Sequence, residues 1–169
     1  LRMNTREFNS FCVAAKKRGF KCFGGVSRNP AEAGSAVPRG GVCWLADRRL
    51  AFRTGTFDEQ NHSQVCSITI EGITFLNFYA PPCAGDPQFD AAEVMVNMFV
   101  QNSLNPGQHK WFAVGDSNEI PNRSVIQNVL EGWGGQICNT GRPTRWKGNR
   151  EIDWGIGNFP QHCSTPVFH

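Results

Sequence analysis

The chain has 169 residues, 40% of them hydrophobic, with a formal net charge of +3. That length holds one well-buried core, and a single domain spanning residues 1–169 is expected. No apolar run reaches the ~18 residues of a membrane helix, the start lacks a signal-peptide layout, and no Lys/Arg run reaches the roughly five residues of a basic arm. Arginine supplies 12 of the 17 basic residues. Its planar fork suits phosphate, but the balance fits an ordinary solvated surface equally well.

The seven cysteines, at positions 12, 22, 43, 66, 83, 138 and 163, show no Cys-x-x-Cys pair. Several sit in apolar strand patterns such as Val42-Cys43-Trp44-Leu45 and read as small core hydrophobes. The four histidines add no zinc-like spacing. Cysteine usage favours a reducing compartment, with one or two disulfides forming if the chain met an oxidising one. The chain opens on Leu1, which leaves room for a removed upstream segment, organellar targeting included.

At the start, Phe8, Phe11, Cys12 and Ala15 recur at helical spacing, with Asn4 and Glu7 placed as a capping box and Gly19 as the stop. Lys21 to Gly25 reads as a strand. Residues 26–40, rich in Gly, Pro and Ala, read as a loop, and Gly41 to Ala46 as a short apolar run. Arg49 to Arg53, Gln64 to Ile70 and Ile73 to Tyr79 are expected to form an antiparallel meander, with Glu71-Gly72 as a two-residue hairpin turn.

Asp86 and Pro87 open a predicted helix running to Asn102, with Phe89, Ala92, Val96, Phe99 and Val100 on one face. Then come a strand at Trp111 to Val114, a loop at Asp116, and a short helix from Ser124 to Glu131. Strands near Gln136 to Asn139, Thr144 to Trp146 and Ile152 to Ile156 complete the chain. Mixed strands with few helices predict an α+β fold, a layered α/β-sandwich with mostly antiparallel sheets.

Three strand ends carry polar tips. Trp111-Phe112-Ala113-Val114 delivers Gly115-Asp116-Ser117-Asn118, Leu76-Asn77-Phe78 ends on Tyr79 before Ala80-Pro81-Pro82, and Arg150-Glu151-Ile152-Asp153-Trp154 presents a second acid. Asp, Ser and Asn are also ordinary turn residues, Tyr79 could simply end a strand, and Asp153 could pair with Arg150 or Arg145. Trp133, Trp146 and Trp154 with Arg142, Arg145 and Arg150 could make a surface that stacks bases and grips phosphate; tryptophans of this kind are more often core.

Taken in order, these segments resemble the endonuclease/exonuclease/phosphatase superfamily, whose signatures read Asn-Val-Tyr-x-Pro, Gly-Asp-Phe-Asn and Arg-x-Ile-Asp-Tyr. Arg39-Gly40-Gly41-Val42 and Pro143-Thr144-Arg145-Trp146 fit its mobile-element members, and the likeness runs from Arg39 to Asn158. The resemblance implies metal-dependent cleavage of a phosphodiester. It assigns Asp116 to the attacking water, Asn118 to the phosphate, Tyr79 to the neighbourhood of the scissile phosphate and Asp153 to holding a catalytic histidine. Thr144, Arg145 and Arg150 are the phosphate-binding candidates; magnesium or manganese is the implied cofactor, and nucleic acid or another phosphodiester the implied partner.

The family's N-terminal strands, with the metal-binding glutamate, and its C-terminal Ser-Asp-His have no counterpart in these residues, and Ser117 stands where the usual signature has Phe. A fold incomplete at both ends, and little catalysis from the chain as written, are therefore expected. The alternative function is a non-catalytic accessory or scaffold subunit of a larger, possibly organellar, assembly, with protein partners covering the exposed sheet edges.

Overall fold

In the computed structural model of the chain, the described residues are 3–25, 41–55, 65–79, 109–117, 131–138, 142–144 and 153–159. The chain divides into two compact units, Leu1–Tyr79 and Ala80–His169.

The first unit begins with helix α1, Thr5–Lys17. The capping box is formed as its sequence predicts: Glu7 N donates to Asn4 Oδ1 at 3.0 Å, and Asn4 N donates to Glu7 Oε2 at 2.9 Å. Both satisfy backbone donors that a helix start leaves without partners. At the other end Gly19, at φ +88°, supplies the left-handed stop and donates its N–H to Lys16 O.

Strands β1, Phe20–Gly25, and β2, Val42–Asp47, pair antiparallel, with Cys22 opposite Leu45 and Gly24 opposite Cys43. Gly24 is required for this approach, since a Cβ there would meet Val42 O at 2.1 Å. Asp47 then departs from the sequence expectation. Its Oδ1 accepts from Arg49 N at 2.9 Å and from Arg49 Nε at 3.0 Å. This side chain to backbone bond turns the chain where a strand from Arg49 was expected, so β3 is only Arg53–Thr54.

Strands β4, Val65–Ile70, and β5, Ile73–Tyr79, form the hairpin that the Glu71-Gly72 turn predicts, and β3 joins β4 to complete the expected meander. Cys66, Ile68, Phe75 and Asn77 share one face by strand alternation. That face meets the β1–β2 ribbon: Trp44 Nε1 donates to Cys66 O at 3.2 Å, Asn77 Nδ2 donates to Cys43 O at 2.9 Å, and the Trp44 and Phe75 rings meet edge to face. Since α1 packs on β1, the unit is layered as helix, ribbon and sheet.

In the second unit β6, Lys110–Asp116, pairs antiparallel with β8, Asp153–Gly157, which also pairs with β7, Gln136–Cys138. Trp111, Ala113 and Ile156 are fully buried, and Trp154 nearly so. Every pairing described within the two units is antiparallel. The helix expected from Asp86 lies outside the described residues, as does all but Glu131 of the helix from Ser124. Among the described residues, no helix is long and apolar enough to cross a membrane. Cys12, Cys22, Cys43 and Cys66 are free, whereas Cys138 is disulfide-bonded.

Candidate active site

Strand register brings the two candidate acids together. Asp116 is the last residue of β6, Asp153 is the first of β8, and they are direct partners across the antiparallel pair. Directly opposed residues project to the same face with Cβ atoms about 4.5–5.5 Å apart. Asp116 is half-buried and Asp153 exposed, so solvent and a ligand can reach the pair. Like charges placed this way repel, a disposition that a structural role alone does not call for.

The pair is held from both ends of the ladder. At the far end Asn158 Oδ1 accepts from Trp111 N at 2.9 Å, its Nδ2 donates to His109 O at 2.6 Å, and its own N donates to Trp111 O at 3.2 Å. At the near end Trp154 Nε1 donates to Ser117 Oγ at 2.7 Å in the buried core. Ser117 and Trp154 each follow one of the acids, and alternation sends them to the opposite sheet face. This bond therefore anchors the strand tip from the face opposite the two carboxylates.

Thr144 touches the site through Asp153, whose backbone N donates to Thr144 Oγ1 at 3.1 Å. That contact ties Thr144 to the start of β8. Tyr79 ends β5 in the first unit and is half-buried. Asn77, from the same motif, bonds the Cys43 carbonyl and serves packing. Asn118, Arg145 and Arg150 lie outside the described residues. Trp154 is core rather than a stacking platform.

Two hard carboxylate oxygen donors suit magnesium or manganese, which commonly takes one or two carboxylates and completes its shell with water and phosphate oxygens. Among the described residues no group of three or more His, Cys, Asp or Glu could hold a metal by itself.

Reading the sequence missed Ser117 and Asn158. The sequence offers Ser117 as a turn residue and a departure from a signature, although a serine beside a core strand near a tryptophan is a natural acceptor for the indole N–H. Asn158 carried a weaker signal, a polar residue immediately after the apolar run that ends β8.

No known family profile matches the sequence, and no curated protein matches it. Solved structures do. The 3′ phosphatase NExo from Neisseria, bound to a product DNA hairpin, matches at TM-score 0.59 and 14% identity over 93% of this chain and 73% of its own. An AP endonuclease from Archaeoglobus fulgidus matches at 0.58 and 13%, with the same coverage. The endonuclease domain of TRAS1, a telomere-specific non-LTR retrotransposon, matches at 0.56 and 15%, over 92% of this chain and 80% of that one. The chain spans only 46% of the cytolethal distending toxin subunit CdtB, where the TM-score of 0.46 is too low to argue from. The chain has the endonuclease/exonuclease/phosphatase fold, in agreement with the order of its strand-end motifs.

Proposed function

We propose that the chain is a domain of metal-dependent phosphodiesterase or endonuclease descent, with Asp116 and Asp153 as the acids of its site. The observation that carries this reading is their direct pairing at one strand tip, with Asp153 exposed and the opposite face anchored by the Trp154–Ser117 hydrogen bond.

In this reading a bound magnesium or manganese ion would neutralise charge on the phosphoryl oxygens. The Asp116 carboxylate orients the attacking water and accepts its proton. The Asn118 amide donates to a phosphoryl oxygen without adding negative charge. Tyr79 lies near the scissile phosphate, Arg145 and Arg150 grip phosphate, and Asp153 orients a histidine that serves the leaving group. The Thr144 bond to the backbone N of Asp153 adds a positioning role to its phosphate-binding one. Counterparts of the metal-binding glutamate and of that histidine are not among these 169 residues, so the stretch alone is expected to turn over slowly at best.

The test is cleavage of plasmid DNA and of a simple phosphodiester with magnesium or manganese. Residual, metal-dependent cleavage that Asp116→Ala and Asp153→Ala each abolish supports the reading. Cleavage that survives both substitutions refutes it. Absence of cleavage, with the chain copurifying in a fixed-stoichiometry complex, supports the accessory-subunit alternative.

A further inference from the structure

Basic side chains converge in the first unit although the sequence has no long basic run. Helix α1 closes with Lys16 and Lys17 and is capped by Arg18, while β2 ends on Asp47 and is followed by Arg48 and Arg49. One backbone hydrogen bond ties the two ends together: Arg48 N donates to Gly19 O at 2.9 Å. With consecutive Cα atoms about 3.8 Å apart, that bond holds the backbones of Arg18 and Arg48 within roughly 10 Å, about one Debye length at 0.1 M salt, so their fields add. Lys21 joins from β1, its Nζ donating to Leu50 O at 3.4 Å and lying 5.1 Å from the centre of the Phe52 ring.

Within residues 16–21 and 47–50, six cations stand against one carboxylate, a net +5 in a chain whose total is +3, so all the other residues together carry −2. The carboxylate is Asp47, already held by Arg49 at 2.7 Å. Lys16, Lys17, Arg18 and Arg48 are exposed and have no carboxylate partner among the described residues. The dipole of α1 accounts for cations in its last turn, but not for Arg48 and Arg49, which arrive from β2.

We propose that this basic corner, where the end of α1 meets the end of β2, is a docking surface for the phosphate backbone of a single-stranded nucleic acid.

Charge complementarity is the first argument. A solvated surface intersperses both signs, whereas a cluster of one sign in a chain otherwise net negative is the electrostatic footprint of a polyanion. The second argument is Phe20, which follows Arg18 and Gly19 and is 40% exposed. An exposed ring among cations gives a base of a single strand a face to stack on while the cations track its backbone. The choice of a phosphodiester polymer rests on the reading of the candidate site given above; the charge map does not.

The test is fluorescence anisotropy of a fluorescein-labelled DNA single strand of roughly 16 nucleotides, the upper end of a single-strand site. EDTA is present throughout, so metal-dependent cleavage plays no part and failure of the catalytic reading leaves this measurement intact. Three to four phosphate contacts predict an affinity that falls about 20–50-fold between about 50 and 200 mM salt. Arg18→Gln with Arg48→Gln should weaken binding roughly tenfold or more at about 50 mM salt and make the slope of log affinity against log salt shallower by about 1.4. Phe20→Ala should weaken binding about fivefold or more without changing that slope. Arg6→Gln, on the first turn of α1, should change neither. The arginines replaced are exposed, so folding should hold. No binding at low salt, equal loss in Arg6→Gln, or an unchanged slope in the double variant would each overturn the proposal. So would capture by phosphatidylserine vesicles with no affinity for the strand.

Discussion

Replacing Ser117 with alanine tests how the strand tip is anchored. Ser117 is 2% exposed, Trp154 is 3% exposed, and the hydroxyl accepts the indole N–H at 2.7 Å. The substitution removes one small oxygen, leaves almost no cavity and deprives a buried donor of this acceptor. Such a loss costs about 1–3 kcal/mol. For a chain of this length each kcal/mol moves Tm by about 2–4 °C, so a fall of roughly 2–12 °C follows. Urea unfolding should show a lower midpoint at unchanged slope, since the surface exposed on unfolding is the same. Trp154→Phe removes the donor instead, and a double-mutant cycle should return a coupling of about 1 kcal/mol or more. A Ser117→Ala effect within about 0.5 kcal/mol, with additive double-mutant energies, would refute the anchoring role.

Three other outcomes follow from local geometry. Glu71 sits at φ 50° in the β4–β5 turn, a left-handed conformation that Asn adopts more readily, so Glu71→Asn should raise stability by about 0.5–1 kcal/mol in urea titration. Gly155→Ala should destabilise by about 1–3 kcal/mol, because the new Cβ would lie 2.6 Å from Phe112 Cζ; Phe112→Leu in the same chain should recover part of the loss. The Arg49 side chain, hydrogen-bonded to Asp47, lowers its carboxyl from 3.8 to about 2. A depressed folded-state value stabilises the fold above the ordinary carboxylate value, and that small contribution is lost as pH falls from there through about 2. A carbon-13 titration of the Asp47 carboxyl should show the depressed midpoint, and Arg49→Ala should restore an ordinary one.

The elements that could be read from sequence were those whose signals are local. The capping box needs only Asn4 and Glu7 three residues apart, and the β4–β5 hairpin needs only two apolar runs around Glu71-Gly72; both are present. Where a side chain competes with the backbone ladder, the reading failed. Asp47 bonds Arg49 and ends the ribbon, so the strand predicted from Arg49 shrinks to Arg53–Thr54. The site divides the same way. Asp116 stood out because it closes an apolar run, Asp153 because it sits in the Arg150-Glu151-Ile152-Asp153-Trp154 unit, and the motif order carried a resemblance. Their cross-strand register depends on pairing between residues 37 positions apart, which no local pattern encodes. Ser117, Asn158 and Thr144 serve through side-chain hydrogen bonds to residues 9 to 49 positions away. Such bonds leave no periodicity to detect.

The most direct test of the central claim is nuclear magnetic resonance of the isotopically labelled chain titrated with manganese, whose paramagnetism broadens nearby amide signals. Broadening centred on Gly115 to Ser117 and on Asp153 and Trp154, relieved by excess magnesium and lost in Asp116→Asn, is the predicted result. Broadening that is absent, centred elsewhere, or unchanged in Asp116→Asn would contradict the assignment of this strand tip as a metal and phosphodiester site.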